Sequence, residues 1–229
     1  LNNLFLDLNE MFQNFSNLNE INLSNNILNF SNDLQNMMIL KDSFLVKSLT
    51  LINCSLNNQK LDLNLNLSKF KIIDYIVLKY NQISIIRKHY FINLNINHLD
   101  LSHNLIHSIE SDSFLNLIEL LYLNLNNNKI KSIKDDVFGK KINLFNIITI
   151  SLFNNNLNEY DFILLKQGYL YLNNNNLTEI TFKIENFKTT SFINLNQNNI
   201  EKIANDMFSK GFFLKYLYLS TNKIHEVNK

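Results

Sequence analysis

Leu120-Leu121-Tyr122-Leu123-Asn124-Leu125-Asn126-Asn127-Asn128-Lys129-Ile130 is the stretch that decides the fold. Leucine occupies its first, fourth and sixth places, asparagine the ninth and isoleucine the eleventh. The same frame returns at Leu214, Leu217, Leu219, Asn222 and Ile224, and at Leu18, Ile21, Leu23, Asn26 and Leu28. It recurs at Ile73, Ile76, Leu78, Asn81, Ile83; at Ile96, Leu99, Leu101, Asn104, Ile106; and at Ile147, Ile150, Leu152, Asn155, Leu157. Weaker copies end alike: Leu49, Leu51, Cys54, Leu56; Leu170, Leu172, Asn175, Leu177; and Ile193, Leu195, Asn198, Ile200. An opening copy would run through Leu1, Leu4, Leu6, Asn9 and Met11.

Apolar residues two apart point one face of a short strand inward. One copy cannot bury that face alone, so neighbours stack and share a continuous core. The residue at the ninth place is then carried inside at the strand's end. An asparagine amide there offers two donors and one acceptor to backbone groups that the turns leave unpaired. Asn26, Cys54, Asn81, Asn104, Asn128, Asn155, Asn175, Asn198 and Asn222 should form such a ladder, weakest at Cys54, whose thiol is a poor donor. Counted from Asn9, the ladder spacings are 17, 28, 27, 23, 24, 27, 20, 23 and 24. The first is too short for a regular turn. The long ones, around Cys54 and before Asn155, should bulge on the outer side and leave the core unbroken.

A second signature follows the ladder residue: an apolar pair, as in Ile106 and Ile109, Ile130 and Ile133, Ile200 and Ile203, or Ile224 and Val227. A phenylalanine comes next, at Phe91, Phe114, Phe138 or Phe208. With the frame above, this resembles the leucine-rich repeat, cysteine at the asparagine place included, in its typical ~24-residue class. That class belongs to animal cell-surface and secreted proteins of the Toll, chaoptin, connectin and Slit kind. The resemblance covers nearly the whole chain and is specific for the repeat class but not for any one member. It implies an α/β solenoid or horseshoe, with a parallel concave β-sheet and an irregular, short-helical convex side. It also implies an extracellular protein-binding role, with a protein ligand or co-receptor as partner. Function in such folds lives in grafted surface residues.

The chain has 229 residues, so residues 1–229 read as a single array of about nine to ten repeats. Its hydrophobic share is 46% and its formal charge +1, which exerts no pull on nucleic acid or anionic membrane. It has no Pro, no Trp, one Ala (Ala204), one Arg (Arg87) and three Gly. Residues with AT-rich codons fill their places, and the abundance of asparagine is read mainly as codon bias. No apolar run approaches the ~20 residues of a membrane span. The stretch from Leu1 already reads as repeat and the last copy stops soon after Ile224, so the expectation is an array without terminal caps, cut from a longer chain. Any membrane attachment would then come from segments outside it.

The residues flanking each central leucine should face out from the concave sheet. Before it stand Glu20, Ser48, Tyr75, His98, Tyr122, Thr149, Tyr169, Phe192 and Tyr216; after it, Asn22, Thr50, Val77, Asp100, Asn124, Ser151, Tyr171, Asn194 and Tyr218. Tyr169, Tyr171, Phe192, Tyr216 and Tyr218 would thus form one patch, with Tyr75, His98 and Tyr122 further along the same face. Aromatic residues with a polar tip are what protein-binding hot spots favour. Cross-strand packing that only stabilises the sheet is the competing reading.

His98, Asp100, His103 and His107 invite a metal reading, but the frame brings no thiol or further carboxylate to them, and exposed polar residues are the better account. No phosphate loop, nucleophile elbow or metal-binding helix pattern occurs, so neither an enzyme nor a cofactor is expected. Six N-x-S/T sequons (Asn14, Asn22, Asn29, Asn53, Asn66, Asn176) are no more than an asparagine-rich chain produces by chance. With a single cysteine the chain needs no oxidising compartment, which keeps an intracellular adaptor or regulatory scaffold as the alternative.

Overall fold

The computed structural model describes residues 17–26, 46–58, 73–88, 90–91, 94–115, 117–139, 146–160, 168–180, 190–203 and 213–227. The expected opening copy at Asn9 lies outside them, as do Phe208 and much of the long segments around Cys54 and before Asn155. The described strands follow in the order β1 (Glu20–Asn22), β2 (Ser48–Thr50), β3 (Tyr75–Val77), β4 (Ile85–Ile86), β5 (His98–Asp100), β6 (Ser108–Ile109), β7 (Tyr122–Asn124) and β8 (Ser132–Ile133). Then come β9 (Thr149–Ser151), β10 (Glu159–Tyr160), β11 (Tyr169–Tyr171), β12 (Phe192–Asn194), β13 (Lys202–Ile203), β14 (Tyr216–Tyr218) and β15 (Glu226–Val227).

Nine of these form one parallel sheet in the order β1-β2-β3-β5-β7-β9-β11-β12-β14. Each copy adds one three-residue strand, because only the central residue and its neighbour two places on point inward. Ile76, Leu99, Leu123, Ile150, Leu170 and Ile193 are central and buried, and Leu78, Leu101, Leu125, Leu152, Leu172 and Leu195 join them. The outer side is built from smaller parallel pairs, β4 with β6, β8 with β10 and β13 with β15, and a short 3-10 turn at Asp135–Phe138. Gly139, at φ 82°, ends that turn with its N–H on Asp136 O, in a region few other residues enter.

A spine of rings fills the space between the two sides. Phe91, Phe114 and Phe138 are fully buried. Phe114 lies 6.2 Å from Phe91 and 5.3 Å from Phe138, centroid to centroid, and Tyr90 meets Phe91 edge-on. Such offset and edge contacts suit the ring quadrupole.

The asparagine ladder runs beside the sheet. Asn81, Asn104, Asn128, Asn155, Asn175 and Asn198 are buried. Each amide nitrogen donates to a carbonyl of its own strand end and to one in the preceding repeat: for Asn104, Leu101 O and Leu78 O, both at 3.0 Å. Each amide oxygen accepts an N–H from the preceding repeat, as Asn155 does from Ile130 and Asn198 from Leu177. At Cys54 the thiol donates to Leu23 O at 3.2 Å, so a donor persists where the amide is missing.

The ends of the sheet depart from the sequence reading. Asn26 is exposed, and Asn222, Leu217 and Leu219 are only half-buried. They belong to the repeats of β1 and β14, the outermost strands, where a described neighbour covers one side alone.

Just before each ladder position the chain passes through the left-handed region, at Asn25, Asn53, Tyr80, His103, Asn127, Asn154, Asn174, Gln197 and Thr221, with φ between 53° (His103) and 63° (Asn25). The backbone must double back there to carry the next residue inside. Asparagine tolerates this conformation better than other residues with a side chain, which gives part of the asparagine excess a structural use. These side chains also join along the rim. Asn53 donates to Asn25, Tyr80 stacks on His103 at 4.2 Å, and Asn127 meets His103 Nε2 at 3.2 Å. Asn154 donates to Asn127, and Asn174 to Asn154.

Candidate functional site

Strict register turns the outward residues of the concave sheet into two straight columns. Tyr75, His98, Tyr122, Thr149, Tyr169, Phe192 and Tyr216 pair consecutively across strands in the first. Val77, Asp100, Asn124, Ser151, Tyr171, Asn194 and Tyr218 do so in the second. A slip of one residue would exchange inward and outward faces, so the buried leucines fix what the columns display.

Two aromatic groups occupy this face. In the C-terminal one, Phe192 is the hub: its ring centroid lies 5.7 Å from Tyr169, 5.0 Å from Tyr171, 6.3 Å from Tyr216 and 5.4 Å from Tyr218. The planes are tilted by 41° to 49°, an arrangement that leaves ring edges and faces open to solvent. Tyr169, Tyr216 and Tyr218 are exposed by 42%, 55% and 44%, whereas Phe192 and Tyr171 are half-buried. The sequence places all five together, but not the central position of Phe192, which depends on ring directions that spacing does not encode.

The other group is a parallel stack. His98 lies between Tyr75 and Tyr122, 4.3 Å from each, with interplanar angles of 21° and 16°. The sequence reading of His98 as a solvated polar residue is corrected here: it is half-buried, and its Nδ1 is buried without a hydrogen-bond partner among the described residues. Burial pushes the His98 pKa below its ordinary value of 6.5, against the pull of Asp74. His103 shifts the same way through burial, aided by Lys79 and opposed by Asp100.

The sign of the pH effect follows. Between the lowered value and 6.5 the unfolded chain binds more protons than the folded one. The stability contributed by neutral His98 is therefore present above pH 6.5 and lost as pH falls through the folded pKa. On acidification across that window the wild-type melting temperature should drop further than that of a His98→Gln variant. Equal drops would show that the ring is not desolvated in its stack.

The remaining candidates do not converge. Asp100 accepts the Ser102 N–H, His103 belongs to the rim, and His107 is exposed. No group of three or more His, Cys, Asp or Glu able to hold a metal occurs among the described residues. On the outer side a polar cavity is lined in part by Lys88, Glu110, Asp112, Lys134 and Asp136. Two of its carboxylates are already engaged: Glu110 accepts from Lys88 N and Asp136 from the Ser111 hydroxyl. Among the described residues no helix is long and apolar enough to cross a membrane.

A family model for the leucine rich repeat matches residues 95–157, inside the parallel array. The fold of this chain is that of a leucine-rich-repeat solenoid. Solved structures of similar fold include Toll in its complex with Spatzle from Drosophila, at TM-score 0.70 and 19% identity over 96% of this chain and 32% of that one. An octameric complex containing the leucine-rich repeats of FLRT2 matches at TM-score 0.66 and 15% identity, over 90% of this chain and 62% of that one. The ectodomain of the Arabidopsis receptor kinase HAESA, in complex with an IDA peptide hormone, gives TM-score 0.60 and 19% identity, over 92% of this chain and 39% of that one. Such identities show the fold alone, and the solenoid spans less than two thirds of each of these chains. No curated protein sequence matches it.

Proposed function

We propose that this solenoid is the recognition module of an extracellular or cell-surface protein of the receptor or adhesion type, and that it binds a protein ligand or co-receptor on its concave face. The observation that carries this reading is the cluster of Tyr169, Tyr171, Tyr216 and Tyr218 around Phe192. A sheet needs cross-strand neighbours, but it does not need five aromatic residues on its solvent side. An apolar hub among polar-tipped rings is the composition of a binding hot spot. The similar folds named above are found with protein or peptide partners, which supports the same class of ligand here. The array is proposed to run as one unit through residues 1–229, to carry no catalytic centre and to leave nucleic acid unbound. As a glycoprotein, it would hold a glycan at exposed Asn22 on β1, the far end of the face from the cluster.

Peptides selected from a displayed random library on the wild-type protein provide the test. Tyr171→Ala and Tyr218→Ala should each weaken the selected peptides by about 2 kcal/mol, roughly thirtyfold. Both rings stand outside the core, so stability should fall by no more than about 1 kcal/mol. Full affinity in both variants, with stability lost, would make the cluster sheet packing and move the site to a flank.

One observation favours a second reading. Cys54 is the sequence's one cysteine and is buried, so the chain makes no disulfide within itself. A chain without a disulfide suits a reducing compartment, and there the same face would serve an intracellular adaptor or regulatory scaffold.

A further inference from the structure

The stacked group supplies a measure for an opening beside it. Tyr75 and Tyr122 stand two strands apart, and the His98 ring fills the space between them at 4.3 Å on either side. The next two-strand step repeats the flanking pair without the filling: Tyr122 and Tyr169 enclose Thr149. Strands ~4.8 Å apart set the backbones of these two tyrosines about 10 Å from one another, the same backbone spacing across which one ring is held in the neighbouring stack. Threonine is too short to occupy it. Tyr122 has its ring contact with His98 and Tyr169 with Phe192, so among the described residues each has one face with no ring against it. Both are exposed, by 38% and 42%. The slot's sides and floor, including Ser151 on the same strand as Thr149, carry no charge.

We propose that the slot between Tyr122 and Tyr169, floored by Thr149, takes one neutral aromatic side chain from a protein partner. Two tyrosine faces attract a cation as well as a ring, but among the described residues no carboxylate lines the slot to hold the charge. The occupant of the equivalent space, His98, is itself driven towards its neutral form. A ring held on both faces gains two stacking contacts. This site rests on the concave face being the recognition surface, but its floor lies on β9, outside the cluster around Phe192.

The chain has no tryptophan, so indole fluorescence from N-acetyltryptophanamide reports the probe alone. Titrating this probe with the whole protein should give a saturable change that N-acetylleucinamide does not compete away. Thr149→His supplies the missing ring from the chain itself and should weaken the probe about tenfold or more, with melting unchanged or raised. Thr149→Ala keeps the slot open and should bind as the wild type does. Tyr169→Ala removes one wall and should also lose about tenfold, which decides the matter if Thr149→His does not fold. Undiminished binding in Thr149→His or Tyr169→Ala, equal loss in Thr149→Ala, or no saturable change with the wild type would overturn the slot. Tyr218→Ala, which weakens a partner seated on the C-terminal cluster, should leave the probe untouched. A slot that fails and a cluster that fails are therefore told apart.

Discussion

Phe114→Ala should lower the stability of the solenoid by about 3–5 kcal/mol, the range for emptying a fully buried phenylalanine site. The residue is only 1% exposed, and its ring packs on Phe91 at one side and Phe138 at the other. Neither neighbour can shift far to close the void, because each is held in its own repeat. Repeats touch only their neighbours, so this one substitution weakens two interfaces at once. Denaturant unfolding should move to a lower midpoint and broaden or split as the repeats on either side uncouple. Leu115→Ala, one residue on and exposed, is the control and should change little. A loss below about 1 kcal/mol at Phe114 would mean that the ring spine is loosely packed and that the sheet alone carries the array.

Asn128→Ala is the second large effect expected, about 1–3 kcal/mol. Its amide nitrogen donates to Leu101 O at 3.1 Å, Leu125 O at 3.0 Å and Asn126 O at 3.2 Å, and its oxygen accepts from Ile106 N at 2.9 Å. Removing the amide leaves these backbone groups buried without water, which costs more than a deleted contact. Asn128→Asp should be no better, since it keeps an acceptor where three carbonyls need a donor. Asn26→Ala should cost far less, because its donations to Leu23 O and Ser24 O occur at an exposed site. Melting temperatures of the three variants provide the comparison. Equal losses for Asn26 and Asn128 would show that burial is not what makes the ladder matter.

Much of this architecture can be read from spacing alone, because a strand has only two faces and the leucines claim one. Once Leu123 and Leu125 point inward, Tyr122 and Asn124 must point out, and the same holds for every copy. Spacing fails where a neighbour is missing. Leu217 and Leu219 obey the frame yet stay half-buried, because burial belongs to the stack and not to the repeat. It fails again where the frame tolerates any residue. The left-handed positions hold Asn25, Tyr80, His103, Gln197 and Thr221, chemically unrelated side chains that share only a φ between 53° and 63°. The doubled asparagines at Asn127-Asn128, Asn154-Asn155 and Asn174-Asn175 were the available hint. Ring directions are equally silent in the sequence. The columns are legible, but that His98 stacks while Phe192 tilts is settled by contacts across strands.

Because every strand of the sheet is paired in phase, distance along the concave face is counted in whole repeats, like graduations on a ruler. From Tyr75 on β3 to Tyr218 on β14 there are six steps, through β5, β7, β9, β11 and β12. At ~4.8 Å per step that is about 29 Å, and an extended chain advancing ~3.3 Å per residue covers it in about nine residues. Thr149 on β9 is the third step, the midpoint. A linear segment laid across the strands must therefore be about nine residues long to cover both aromatic groups from end to end, and it brings its middle residue over the threonine. Shorter segments reach only the adjoining members, Tyr122 and Tyr169, and leave the outer rings uncovered, so partner length alone sets how many rings are engaged.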